Sequence, residues 1–448
     1  MGNTRRDNLL SSWKEIAAYL DCDIRTCQRW EKKFGLPVYR VDEESGSRVY
    51  AYKDELDEWL KNRNNKNSSP SKAKFQKLKQ QIRPSILLPL IIVGGFVIYF
   101  LFLKTSTSPV PSDFRIENAN LVILNEDGKE LWQYDTGIKN LVSEQEYRLH
   151  FQSKNNRTDR IGRDMPHIMI KDINNDNHSE VLFSIQTKTE FGEGRLLCFN
   201  HKGDLLWDFE TGRELEFGQK IYSRDYRIFG FEECDLNHDG KLEIIVISYH
   251  FLDFPTQLVM LNSEGRKIGE YWNSGRFADL NYVDLDEDGR QEIIVAGMNN
   301  EYTKASIIVL DPSSIGGCSP QEKEFWKCKD IELGTEKYYI IFPQIDVLLV
   351  DARRDIIAII DVLQNKRISG IGGNSGIIYE FNFRLELQNV RLGHSFQRMH
   401  KKAVAEGKVK SELDENYIRR LEQGLLYWNG DKWVSEPTRN RYWNNSEN

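Results

Sequence analysis

The sequence has no catalytic fingerprint. It contains no HExxH, no GxSxG, no Walker motif and no dinucleotide-binding glycine pattern. That removes the usual starting points for a zinc protease, a serine hydrolase and a nucleotide enzyme. Its eight histidines are scattered along 448 residues. We therefore expect a protein that binds rather than one that reacts. Cysteine is also scarce, at six residues. Cys22 and Cys27 lie close in sequence, but no two further ligands lie near them, which excludes a structural zinc site. Cys318 and Cys328 are ten apart in a loop, a spacing that permits a local disulfide in an oxidising compartment.

Charge is missing from one stretch altogether. Residues 85–103 read SILLPLIIVGGFVIYFLFL. As a helix this run would span roughly 28 Å, close to the hydrocarbon thickness of a bilayer. The sequence thus predicts one transmembrane helix. The preceding run, KAKFQKLKQQIR (72–83), is basic and has no acidic residue, whereas TSTSPVPS follows the apolar segment. The positive-inside rule then places the N-terminus in the cytoplasm and the C-terminal part outside it, in a single-pass membrane protein. The lipid bilayer is an expected partner.

The net charge of −7 hides two halves of opposite sign. Residues 1–84 carry 18 Lys/Arg against 12 Asp/Glu, and residues 105–448 carry 42 against 56. A small basic domain implies an anionic partner such as nucleic acid. Within it, Ser12 precedes an amphipathic run with Glu15 three residues on, a capping-box signal. The turn DCD (21–23) leads to a second helix, IRTCQRWEKKF, with Gly35 as its stop. Ile24, Cys27, Trp30 and Phe34 are expected to point inward. Two β-prone runs, VYRV and SRVYAY, then flank a polar turn, and KDELDEWLKNR closes the domain as a helix.

The order WKEIAAYL, RTCQRWE, LPV, SRVY, DELDEWL resembles the MerR/excisionase-like winged helix-turn-helix over residues 9–62. The resemblance implies DNA binding, with Arg25, Thr26, Gln28 and Arg29 in the major groove and Arg48 near phosphate or the minor groove, and Lys32 is expected to neutralise phosphate. No long dimerisation helix follows, so a homodimer would have to form elsewhere in the chain.

In the acidic half, three stretches share one register: DINNDNHSE (172–180), DLNHDGKLE (235–243) and DLDEDGRQE (284–292). Oxygen-bearing side chains stand at positions 1, 3, 5 and 9, and a β-prone run follows each. Asn200, Asn262 and Asp311 then begin turns 28, 27 and 27 residues after the leading Asp, and Trp207, Trp272 and Trp326 come next. LVILNEDGKELW (121–132) is an unpaired copy of this second half. A strand-rich unit that recurs must stack or close to bury its faces, and a β-propeller of five to seven blades fits best. The orphan half-copy is expected to close the ring with C-terminal strands.

Several oxygens within nine residues suit a hard cation such as Ca²⁺. The candidate ligands are Asp172, Asn174, Asp176 and Glu180; Asp235, Asn237, Asp239 and Glu243; and Asp284, Asp286, Asp288 and Glu292. An EF-hand is excluded, because position 12 is Phe183, Val246 or Val295. Asx and Gly turns that cap backbone N–H groups are the plainer alternative. The pattern resembles FG-GAP or VCBS-type repeats of integrin-like propellers, which implies structural calcium between strands.

The expected fold class is multi-domain: a small α+β winged helix-turn-helix (1–62), a basic linker (63–84), a transmembrane helix (85–103), a short linker (104–112) and a large all-β propeller with a C-terminal extension (113–448). The domain order resembles membrane-bound one-component transcription regulators whose outer propeller senses an unknown ligand or protein. The alternative is a non-enzymatic surface adhesion or assembly propeller with a cytoplasmic protein-binding anchor.

Overall fold

The computed structural model describes residues 8–43, 46–66, 110–151, 165–189, 193–251 and 254–444. The chain separates into two compact units, Met1–Ser106 and Thr107–Asn448.

In the first unit, α1 (Trp13–Tyr19) and α2 (Ile24–Phe34) precede a three-stranded sheet and α3 (Lys53–Lys66). The strands are β1 (Leu9–Leu10), β2 (Tyr39–Glu43) and β3 (Gly46–Tyr52), with β3 in the middle. Ser12 caps α1 through the Glu15 amide at 3.2 Å, and Asp23 caps α2 through the Thr26 amide at 2.8 Å. Gly35 takes the left-handed conformation that ends α2. Ile16, Ala17, Cys27, Leu36, Ala51 and Leu56 form the core. Ile24 and Phe34, expected inside, are 42% and 53% exposed, because they fall at the two ends of α2.

The second unit is β throughout most of its length. Five sheets follow one another along the chain: residues 113–135 (three strands), 168–210 (four), 226–273 (four), 277–341 extended by 426–434 (six) and 357–392 (four). A two-stranded ribbon, Leu215–Phe217 with Lys220–Tyr222, hangs between the second and third. This is a propeller-like array, and its logic is visible in the middle strands. Glu243–His250 reads EIIVISYH and is buried over its first six residues. Successive side chains on a strand face opposite ways. Ile244 and Val246 pack toward the second sheet, and Ile245 and Ile247 toward the fourth. A strand covered on both faces is apolar without alternation.

Separate cores join the first sheet to the second, the second to the third, the third to the fourth and the fourth to the fifth. No such core among the described residues joins the fifth to the first. The expected ring closure is therefore corrected. The C-terminal strands Leu426–Trp428 and Trp433–Val434 extend the fourth sheet, through Ile340 opposite Tyr427, and the orphan half-copy stands as its own three-stranded sheet.

The expected fold class and location are corrected as well. Among the described residues no helix is long and apolar enough to cross a membrane. Residues 85–103, on which the transmembrane call falls, lie outside the described residues. The described chain is mostly β in many small sheets, with three helices and a three-stranded sheet in its first unit. The three-part class built on a winged helix-turn-helix and a membrane span gives way to that description.

Candidate functional site

Each acidic loop joins the first strand of a sheet to the second. The residue before the leading Asp pairs directly with the Glu at position 9: Lys171 with Glu180, Cys234 with Glu243, Val283 with Glu292. The loop is thus a hairpin tip, and its side chains close it. The leading Asp accepts the amide of position 6, from Asn177 at 2.8 Å, Gly240 at 3.0 Å and Gly289 at 3.0 Å. Positions 4 and 6 are left-handed in all three, with Asn175, His238 and Glu287 at position 4. Asn tolerates that conformation, which explains how Asn177 serves without glycine.

The position 9 glutamates are buried, at 2%, 4% and 3% exposure. Each accepts the amide of position 2: Ile173 at 3.1 Å, Leu236 at 2.9 Å and Leu285 at 2.8 Å. Burial pushes all three carboxyls up. The loops also touch. His238 Nε2 lies 2.6 Å from the Gly289 carbonyl, and a Cβ on Gly240 would stand 2.9 Å from the Asn175 amide. They therefore line one edge of three consecutive sheets. A cavity of about 390 Å³ opens between the second and third loops, with Glu243, Met260, Arg290 and Asp311 in its wall.

At position 3 the loops diverge. Asn174 and Asn237 donate their side-chain amides to Glu180 at 3.3 Å and Glu243 at 2.8 Å. In the third loop position 3 is Asp286, and the ammonium of Lys337 bonds both Asp286, at 2.6 Å, and Glu292. Lys337 is 4% exposed and lies 3.9 Å from Asp311. Asp284, Asp286 and Glu292 converge as a metal would require, but this convergence already holds a cation. The third set does not fit calcium. In the second loop the carboxylates do not converge in this way, but Asp235 Oδ1 is buried and has no hydrogen-bond partner. In the first loop both oxygens of Asp172 accept backbone amides. Sequence spacing could not reveal Lys337, which lies 45 residues beyond Glu292.

On the first unit, Arg25, Gln28, Arg29 and Lys32 are exposed along one face of α2. Thr26 is not among them. It is half-buried, and its hydroxyl bonds Asp23 at 2.7 Å as part of the helix cap. Arg48 lies on β3 opposite Val41, and its side chain lies outside the described residues. Cys318 and Cys328, the expected disulfide pair, lie within hydrogen-bonding reach of each other and are not disulfide-bonded in this structure. Cys318 is buried, and its hydrogen bond with Cys328 together with burial raises it well above the ordinary thiol range.

Comparison with known proteins gives little. No family model matches the chain, so neither the winged helix-turn-helix nor the FG-GAP resemblance has support from a family match. No curated protein matches it. Among solved structures it is similar to BamB from Moraxella catarrhalis, at 11% identity and a TM-score of 0.29, over 63% of this chain and 59% of that one. It is also similar to a protein of unknown function from Bacteroides caccae, at 11% identity and a TM-score of 0.23, over 64% of this chain and 95% of that one. The chain thus spans less than two thirds of the BamB chain.

Proposed function

We propose that this is a non-enzymatic, DNA-binding regulator whose propeller-like unit senses a ligand or partner and is steadied by calcium at the second acidic loop. The observation that carries the DNA-binding part is the face of α2. Arg25, Gln28, Arg29 and Lys32 recur at i, i+3, i+4 and i+7, all exposed, and none is paired with a carboxylate among the described residues. Arginine and glutamine suit base edges, and lysine suits phosphate. Asp235, Asn237, Asp239 and Glu243 would hold the ion, which would fix the loop by its charge. Asp172, Asn174, Asp176 and Glu180 form a second candidate set, with fewer oxygens left unused.

One observation favours the other reading, in which the first unit docks a protein. Ile24 and Phe34 leave apolar surface at both ends of the same helix, and a second copy of this chain could cover it.

A gel-shift titration of the full-length chain separates the two. The duplexes are its gene's own upstream region and a scrambled control, at about 0.15 M salt so that unspecific attraction is screened. Specific retardation that disappears in Arg25→Ala/Arg29→Ala supports the regulator. Equal binding to both duplexes, unchanged in the double variant, removes DNA as the partner.

A further inference from the structure

A second cavity, of about 520 Å³, lies between the long loop after the fourth sheet's third strand and the tip of the C-terminal hairpin. Its lining includes Cys318, Gln321, Leu333 and Trp428. Two of these side chains carry unused polar atoms. The Trp428 indole N–H and Gln321 Oε1 have no hydrogen-bond partner, and the residues are 5% and 7% exposed. Gln321 keeps its own amide nitrogen on Ser319 at 2.8 Å, which fixes the carbonyl as the free end. A buried donor and a buried acceptor without partners cost free energy unless something satisfies them.

We infer that this cavity is a binding site for an uncharged, amide-bearing ligand of about dipeptide size. An amide offers both halves of the missing pair. Its carbonyl accepts from Trp428, and its N–H donates to Gln321. Trp428 and Leu333 supply the apolar wall that small-molecule sites need, and the volume is in their range. Anions are disfavoured. Arg441 and Lys327 at the mouth already stand 3.6 Å from Asp431 and 3.1 Å from Glu324, so an anion finds no free cation. An anion seated against Gln321 and Cys318 would also face Glu322 and Glu332, which line the same cavity. The inference assigns a place to the sensing role proposed above, yet it does not depend on DNA binding.

The test uses the full-length chain and N-acetyl-leucine methylamide as probe, with N-acetyl-leucine methyl ester as the analogue that lacks one N–H. Binding is followed by calorimetry or ligand-observed NMR. The amide should bind about tenfold more tightly than the ester, and Trp428→Phe and Gln321→Met should each weaken it about tenfold, the worth of one hydrogen bond. Gln321→Met keeps the side-chain volume, Trp428→Phe trims an indole to a phenyl in the core and also loses apolar contact, and melting curves show whether each folds. If either does not, the amide-to-ester ratio on the parent chain decides. No binding up to the probe's solubility, equal binding of amide and ester, or full binding by both folded variants overturns the assignment. The last two outcomes would leave water as the partner of the two buried groups.

Discussion

Lys337 separates three loops that look alike in sequence. Its ammonium is buried against Asp286 and Glu292 and lies 5.1 Å over the ring of Trp443. Burial pulls its pKa down, but the two carboxylates outweigh this and raise it. Removing one partner from such a pair leaves an uncompensated buried charge, at about 3–5 kcal/mol. Lys337→Met should therefore lower stability by roughly that amount, and millimolar calcium should restore part of it by taking the ammonium's place. Melting curves with and without calcium check this, and a variant as stable as the parent would show that the pair contributes nothing. The preceding residue points elsewhere. Glu336 is fully buried with Oε2 unpartnered, and burial pushes it up to about 8 from an ordinary 4.5. Between those two values the unfolded chain releases a proton that the folded chain keeps. Stability on this account is highest below about 4.5, falls as pH rises to about 8, and stays low above it. Glu336→Gln should raise the melting temperature at pH 8 and flatten its decline from pH 5, while leaving the value near pH 5 little changed. A decline of the same slope in the variant would assign the titration to another group.

At the scale of the element, one hairpin design recurs. Asn125, Asn200, Asn262, Asn382 and Asn429 each use the side-chain oxygen to cap the amides of their own turn. Seven residues after the first two stand Trp132 and Trp207, whose indoles donate to the next sheet's turn, at His201 O (3.2 Å) and Ser263 O (3.0 Å). Each ring covers the glycine of that turn. A Cβ on Gly265, at φ +75°, would stand 2.5 Å from Trp207. Gly265→Ala thus meets both backbone strain and a rigid indole, and should cost about 2 kcal/mol or more. A denaturant midpoint that falls at unchanged slope is the expected signature, and an unchanged midpoint would show that the indole is free to move. The acidic loops and the turns at Asn125, Asn200 and Asn262 were legible in the sequence because each is closed by residues within nine positions, whereas those at Asn382 and Asn429 lie outside the repeats. Trp272, which follows Asn262 in the repeat, is not a third brace of this kind. Seven residues after Asn262 stands Gly269, on which Ile315 packs, while Trp272 lies in a different core. Ile315 comes from the loop inserted after the fourth sheet's third strand, and no local spacing announces a partner so far along the chain.

The whole molecule divides where its charge does, and unit 2 is a row of sheets in which each core joins only neighbours. Stability in such a row is a sum of local and nearest-neighbour terms. This also explains why the sheets were legible and their closure was not. Repeat spacing reports the unit, whereas the attachment of Leu426–Trp428 to the fourth sheet depends on a contact across 86 residues, Ile340 to Tyr427. The second acidic loop occupies a central place in the row, because the third sheet shares cores with the sheets on both sides. An ion there binds the folded form alone, so stabilisation grows with concentration and reaches about 2.7 kcal/mol at a hundred times Kd. Calcium should accordingly raise the melting temperature of unit 2, and a chelator should reverse the rise. Asp235→Asn should abolish most of the response, since Asp235 Oδ1 is the buried oxygen left without a partner. The corresponding Asp284→Asn should leave the response intact, because Lys337 already balances the third loop. A response lost in Asp284→Asn and kept in Asp235→Asn would place the ion on the third loop and make Lys337 a displaceable stand-in, not a resident counter-ion.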